Sequence, residues 1–148
     1  MQRKRTLVVI ANEKAARILA NEGVGKGLAV CADLDATDYG DTDQSVTDRA
    51  GRGATPFGHG RHAMDDTRQT ERDQERVAFA AHVMTAAETE WEKGYDRLVI
   101  AAGPKMLGEL RTRLPAAMQD RLAADLPKDL VKIPVQDLPA HFADLIVL

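Results

Sequence analysis

The sequence predicts an α/β fold: a mixed sheet that starts with a three-strand antiparallel meander, flanked by helices, with a long Gly/Arg-rich loop between them. Three observations predict it. Short apolar runs near the start are punctuated by glycines, a long stretch of helical apolar spacing follows the loop, and a further strand-like run comes directly after that stretch.

Thr6–Ala11 (TLVVIA) is apolar without alternation, as a strand buried on both faces requires. Ala15–Ala20 fits a strand or a helical turn equally well by spacing. Gly23, Gly25 and Gly27 then form a turn into Leu28–Ala32, which favours a strand and an antiparallel meander. From Asp33 to Met64 the pattern stops. Aspartates at 33, 35, 38, 41, 43 and 48 give way to Arg49–His62, where the sign of charge reverses. Loops this long are uncommon in a compact domain and are usually functional. Residues from about Asp35 to Asp66 are therefore expected to be irregular and mobile, with Phe57 as their one large apolar anchor.

Val77, Met84 and Trp91 are seven apart with Ala80, Ala81 and Ala87 between them, the stripe of an amphipathic helix near 68–93 that packs on the sheet. Gly94 ends that helix and Asp96–Ala102 supplies another buried strand. Gly103-Pro104 opens a helix over Lys105–Leu114, with proline where a first-turn proline is tolerated. A short helix at Ala116–Leu122, an edge strand at Leu122–Leu126 and a closing helix at Leu138–Leu148 complete the reading.

A chain of 148 residues is long enough for one core and too short for two, so residues 1–148 are read as a single domain. Hydrophobic residues at 44% and charged residues at 29% give a globular balance, and aromatics at only 4% leave the core to Ala, Val, Leu and Ile. A net charge of -3 excludes a uniformly basic nucleic-acid coat but not a local patch of placed cations. The basic start Met1–Arg5 precedes an apolar run too short for a signal peptide, and no stretch reaches the roughly 20 apolar residues of a membrane span. Cys31 is the sole cysteine, so no intrachain disulfide can form. A reducing cytoplasm without membrane association is the expected location.

Six spaced blocks carry a family resemblance: Asp48-Arg-x-Gly-Arg52, Gly58-x-Gly-Arg-His-Ala-Met64, Phe79-Ala80, Asp96-x-Leu-Val-Ile-Ala-Ala102, Met106-Leu-Gly-Glu-Leu-Arg111 and Lys128-Asp-Leu130. In this order, from Leu7 to about Phe142, the chain resembles the bacterial proteins described as host attachment proteins. Those in turn resemble the central domain of archaeo-eukaryotic class I peptide-chain release factors and the related ribosome-rescue hydrolases. The resemblance implies an RNase H-like fold, translation as the setting and ribosome or tRNA as partner; no cofactor is expected. It also implies that the loop is the functional segment, since in those relatives a Gly-Gly-Gln or Gly-x-x-Gln motif there promotes peptidyl-tRNA hydrolysis. Here the loop has Gly58-His59-Gly60 and no glutamine; the nearest are Gln44 and Gln69.

The loop has a chemical logic of its own. Gly51, Gly53, Gly58 and Gly60 let backbone N–H groups approach a ligand, and Arg49, Arg52 and Arg61 offer forked contacts to phosphate. The competing reading has these arginines pair with the neighbouring aspartates and dock the loop. His59 and His62 are candidates for acid–base catalysis. A zinc site would need a third ligand, and His82 and His141 stand isolated, each expected at the solvent edge of its helix. Two-metal nuclease chemistry needs carboxylates on strand ends, whereas the first strand ends in Asn12-Glu13. No P-loop motif occurs. Asp129 reads as a partner of Lys128 or Lys132 or as a turn former, Gly108 as a small residue allowing close approach, and Trp91 as core.

Three functions follow. One is a translation-associated module binding RNA or the ribosome and acting on peptidyl-tRNA. The second is a non-enzymatic interaction or regulatory protein linked to host attachment. The third is a small metal-independent RNase using His59 and His62. Oligomeric state is open on sequence grounds.

Overall fold

A computed structural model describes residues 4–39, 60–146 and 148, with the backbone alone over residues 60–67. The elements are β1 (Thr6–Ala11), β2 (Ala15–Asn21), β3 (Ala29–Asp35), a 3-10 turn (Ala36–Asp38), α1 (Gly60–Trp91), β4 (Arg97–Ala102), α2 (Pro104–Thr112), α3 (Ala116–Gln119), β5 (Leu122–Leu126), a second 3-10 turn (Val135–Asp137) and α4 (Leu138–His141). The five strands form one sheet in the order β3-β2-β1-β4-β5. β1–β2 and β2–β3 pair antiparallel, while β1–β4 and β4–β5 pair parallel. The expected meander and mixed sheet are both present.

Both faces of this sheet are covered, which explains why β1 and β4 read as unbroken apolar runs. Leu7, Val9, Leu98 and Ile100 point to one cluster, which Phe79, Ala80, Val83, Met84 and Ala87 of α1 and Met106, Leu107 and Leu110 of α2 complete. Val8, Ile10, Val99 and Ala101 point the other way, onto Leu130, Leu138, Phe142, Ile146 and Leu148. The β2–β3 turn uses positive φ at Gly25 (81°) and Gly27 (67°), a conformation that favours glycine. Asn21, fully buried, ties that turn together: its amide donates to the Gly27 carbonyl (2.7 Å) and its carbonyl accepts from the Gly23 N–H (3.1 Å).

Four expectations need correction. Residues 60–66 are helical, so α1 starts earlier than the irregular segment reaching Asp66 would allow. No glycine or proline follows Gly60 within α1, and once a helix is nucleated each added residue gains a hydrogen bond at little cost. The buried stripe of α1 is also rotated from the expected one. Met84 is central to it, but Val77, Ala81 and Trp91 are only half-buried, Trp91 packing against the edge of the core. A seven-residue spacing drifts by about 20° per repeat on a straight helix, so such a stripe cannot stay on one contact line. The closing helix Leu138–Leu148 is only the four-residue α4. It is followed by tight turns in which Phe142 N–H donates to Pro139 and Leu145 N–H to Phe142. The chain there must lay Phe142, Ile146 and Leu148 on a sheet face and also bring the Leu148 carbonyl to the Gly25 N–H (3.0 Å), which a straight helix would not do. Finally, a Cβ added at Gly108 would meet nothing within 4 Å, so that glycine does not serve a close approach.

The end of α1 is fastened by Arg5. Its guanidinium donates to the carbonyls of Lys93 (3.2 Å) and Gly94 (2.6 Å), pairs with Glu22 (2.8 Å) and lies over the Tyr95 ring, 4.3 Å from its centroid. The Tyr95 hydroxyl donates to Glu90 at 2.6 Å. That bond holds the Glu90 carboxyl below its ordinary value, and burial, then the same bond, pushes the Tyr95 phenol up. The Glu90 contribution to stability is thus present above its ordinary 4.5 and lost as pH falls through the lowered native value. The Tyr95 contribution is complete below its ordinary 10.0 and is lost as pH rises beyond it. Tyr95→Phe should flatten the alkaline limb of a melting-temperature profile and shrink the acid one. An alkaline limb left unchanged by the substitution would remove Tyr95 as its source.

Candidate functional site

Most of the sequence-predicted site lies between Tyr39 and Gly60 in the sequence. Arg49, Gly51, Arg52, Gly58 and His59 lie outside the described residues, as do Gly53 and Phe57. Gly60, Arg61 and His62 lie on the first turn of α1 rather than in a loop.

Asp35 ends β3 and its carboxylate accepts from the Thr37 N–H (2.9 Å) and hydroxyl (2.6 Å). Those two bonds, the hydroxyl's first, hold the Asp35 carboxyl below its ordinary value. The turn then presents Tyr39 to α1, where its ring stacks on His82 at 3.9 Å and meets Phe79 at 6.1 Å. His82 is exposed as expected, but it is a stacking partner rather than an isolated residue. His141 is exposed on α4. Below the Tyr39–His82 stack, Arg76 bridges Asp73 (2.8 Å) and Glu13 (3.3 Å), tying α1 to the β1–β2 turn. A small cleft of about 160 Å³ between them is lined by Glu13, Thr37, Tyr39, Glu75, Phe79 and His82.

Among the described residues no group of three or more His, Cys, Asp or Glu could hold an ion. Asn12 is instead a structural knot. Its carbonyl accepts from the N–H groups of Lys14 (2.8 Å) and Ala15 (2.7 Å), and its amide donates to Asp129 (3.0 Å). Asp129 also accepts from the Val131 N–H (3.1 Å), which makes it the turn former expected, with Asn12 rather than a lysine as its side-chain partner. Sequence reasoning missed Asn12. The signal available was an Asn immediately after a strand, a residue type that bonds backbone two or three positions on.

The chain thus has a five-stranded mixed sheet that opens with an antiparallel meander and is followed by a long helix. The chain belongs to the family described as bacterial archaeo-eukaryotic release factor family 12, which matches residues 5–142. Among solved structures it is similar to an archaeal translation termination factor, aRF1, with a TM-score of 0.53 and 13% sequence identity. That similarity covers 97% of this chain but 35% of the archaeal protein, so the chain corresponds to about a third of it, and at this identity the likeness is one of fold. No curated protein matches the sequence. No helix among the described residues is long and apolar enough to cross a membrane.

Proposed function

We propose that this chain is a translation-associated module that binds RNA of the ribosome or tRNA through the segment from Arg49 to His62, and that peptidyl-tRNA is its substrate class if it is catalytic. The observation that carries this reading is membership of a release-factor family over residues 5–142, a span that contains the whole segment. Arg49, Arg52 and Arg61 are assigned to phosphate, Gly51, Gly58 and Gly60 to close backbone approach, and His59 and His62 to proton transfer. The missing glutamine shifts the weight from release chemistry toward binding.

Replacing Arg49, Arg52 and Arg61 together by Ala tests it. Co-sedimentation with ribosomes, or gel shift with tRNA, should be lost while the melting temperature is kept. The native chain should lose affinity steeply with added salt, and the triple variant should show a flatter slope, because each phosphate contact releases counterions. Loss of folding together with loss of binding would favour arginines that dock the segment onto its aspartates. A native chain that binds neither partner would leave the non-enzymatic interaction protein as the better reading. On the same proteins, peptide release that survives His59→Ala and His62→Ala would point to water positioned by backbone. Release lost with either histidine would point to acid–base catalysis.

A further inference from the structure

The feature left unused by this reading is a crevice of about 710 Å³ at the carboxyl ends of β1 and β4. Its place follows from the topology. From β1 the chain proceeds to β2 and β3 on one side, and β4 then enters on the other side, parallel to β1. The two loops leaving β1 and β4 therefore diverge and leave a gap between them. In open α/β sheets such gaps are where ligands bind.

The lining has two kinds of wall. Ala15, Pro104 and Val131 supply apolar surface, while Lys14 comes from the β1–β2 turn, Lys105 from the first turn of α2 and Lys132 from the segment after β5. None of these lysines has a carboxylate partner among the described residues. The two acids present are already engaged: Glu13 with Arg76, and Asp129 with the Asn12 amide and the Val131 N–H. The Asn12 knot joins the β1–β2 turn that carries Lys14 to the 129–132 segment that carries Lys132, so the spacing of those two backbones is held before any ligand arrives. Gly103 forms part of the floor, and a Cβ built there would meet nothing within 4 Å.

We infer that this crevice binds a nucleotide, with its phosphates on Lys14, Lys105 and Lys132 and its base or sugar against Pro104 and Val131. The volume suits one: small-molecule sites run to roughly 300–1,000 Å³, mostly apolar with a few converging polar groups. An inorganic anion would leave the apolar wall unused, and an uncharged apolar ligand would leave three cations unpaired. The same chemistry is offered by a free nucleotide and by the phosphorylated end of an RNA strand.

The test uses the full chain and calorimetric titration with ATP, AMP, pyrophosphate and a 5′-phosphorylated RNA oligonucleotide beside its unphosphorylated form. Saturable binding of AMP or ATP is expected, weakened at least tenfold by Lys14→Ala, Lys105→Ala and Lys132→Ala combined and unaffected by the triple arginine variant of the loop. Gly103→Leu should also block binding, because its side chain would occupy the crevice; its backbone φ of -59° is one any residue adopts. Competition of the 5′-phosphorylated oligonucleotide alone with AMP would identify an RNA end as the source, and absence of competition a free nucleotide. The inference is overturned if no nucleotide binds saturably, if pyrophosphate binds as well as ATP, or if the lysine and Gly103 variants bind like the native chain. None of these outcomes depends on whether the loop binds ribosomes.

Discussion

Phe142→Ala is expected to cost about 3–5 kcal/mol of folding stability, the range for removing a fully buried aromatic side chain. Phe142 has no exposed surface and is among the largest of the fully buried side chains. It packs with Leu130, Leu138, Ile146 and Leu148 over Val8, Ile10, Val99 and Ala101, on the face that no long helix covers. Truncation loses the transfer free energy of the ring and leaves a cavity beneath a segment held mainly by single turns, and relaxation of that segment would place the loss toward the lower end. Urea unfolding measures it. Leu145→Ala serves as a control, because Leu145 is 48% exposed and should change stability by no more than about 0.5 kcal/mol. A Phe142 loss below about 1 kcal/mol would mean that the C-terminal segment is not part of the cooperative core.

The second large effect is at Asn21, where Ala should cost about 2–3 kcal/mol, because two backbone groups of a sharp turn lose their partner together. Gly23 is buried, so its N–H would have no water to replace the Asn21 carbonyl. Asn21→Asp keeps the acceptor for Gly23 and loses the donor to Gly27, so it separates the two bonds. Amide exchange at Gly23 should accelerate in Asn21→Ala and stay protected in Asn21→Asp. Equal exchange in both variants would show that the turn is held by its glycines alone.

The parts of this protein legible in its sequence are those set by local chemistry. A short apolar run rich in Val and Ile without alternation favours a strand buried on both faces, and Thr6–Ala11 and Arg97–Ala102 are such strands. Gly25 and Gly27 mark a turn because positive φ is cheap only for glycine, and that turn settles the strand-or-helix ambiguity of Ala15–Asn21. The order of blocks from Asp48 to Leu130 was enough to place the chain near the release factors, which the family match over residues 5–142 bears out.

Other features depend on groups far apart in the chain, and no local pattern contains them. Which face of α1 is buried was decided by the sheet and by α2, so Phe79 and Val83 entered the core while Val77 and Trp91 stayed at its margin. The fate of residues 138–148 was decided by the need to cover Val8, Ile10 and Phe142's other neighbours while reaching Gly25, a geometry that overrode a helical pattern. The crevice is the extreme case. Lys14, Lys105 and Lys132 are unremarkable surface lysines in the sequence, separated by dozens of residues. Only the parallel pairing of β1 with β4 and the Asn12–Asp129 bond bring them around one gap, because a binding site is a property of where strands end in space and not of which residues adjoin along the chain.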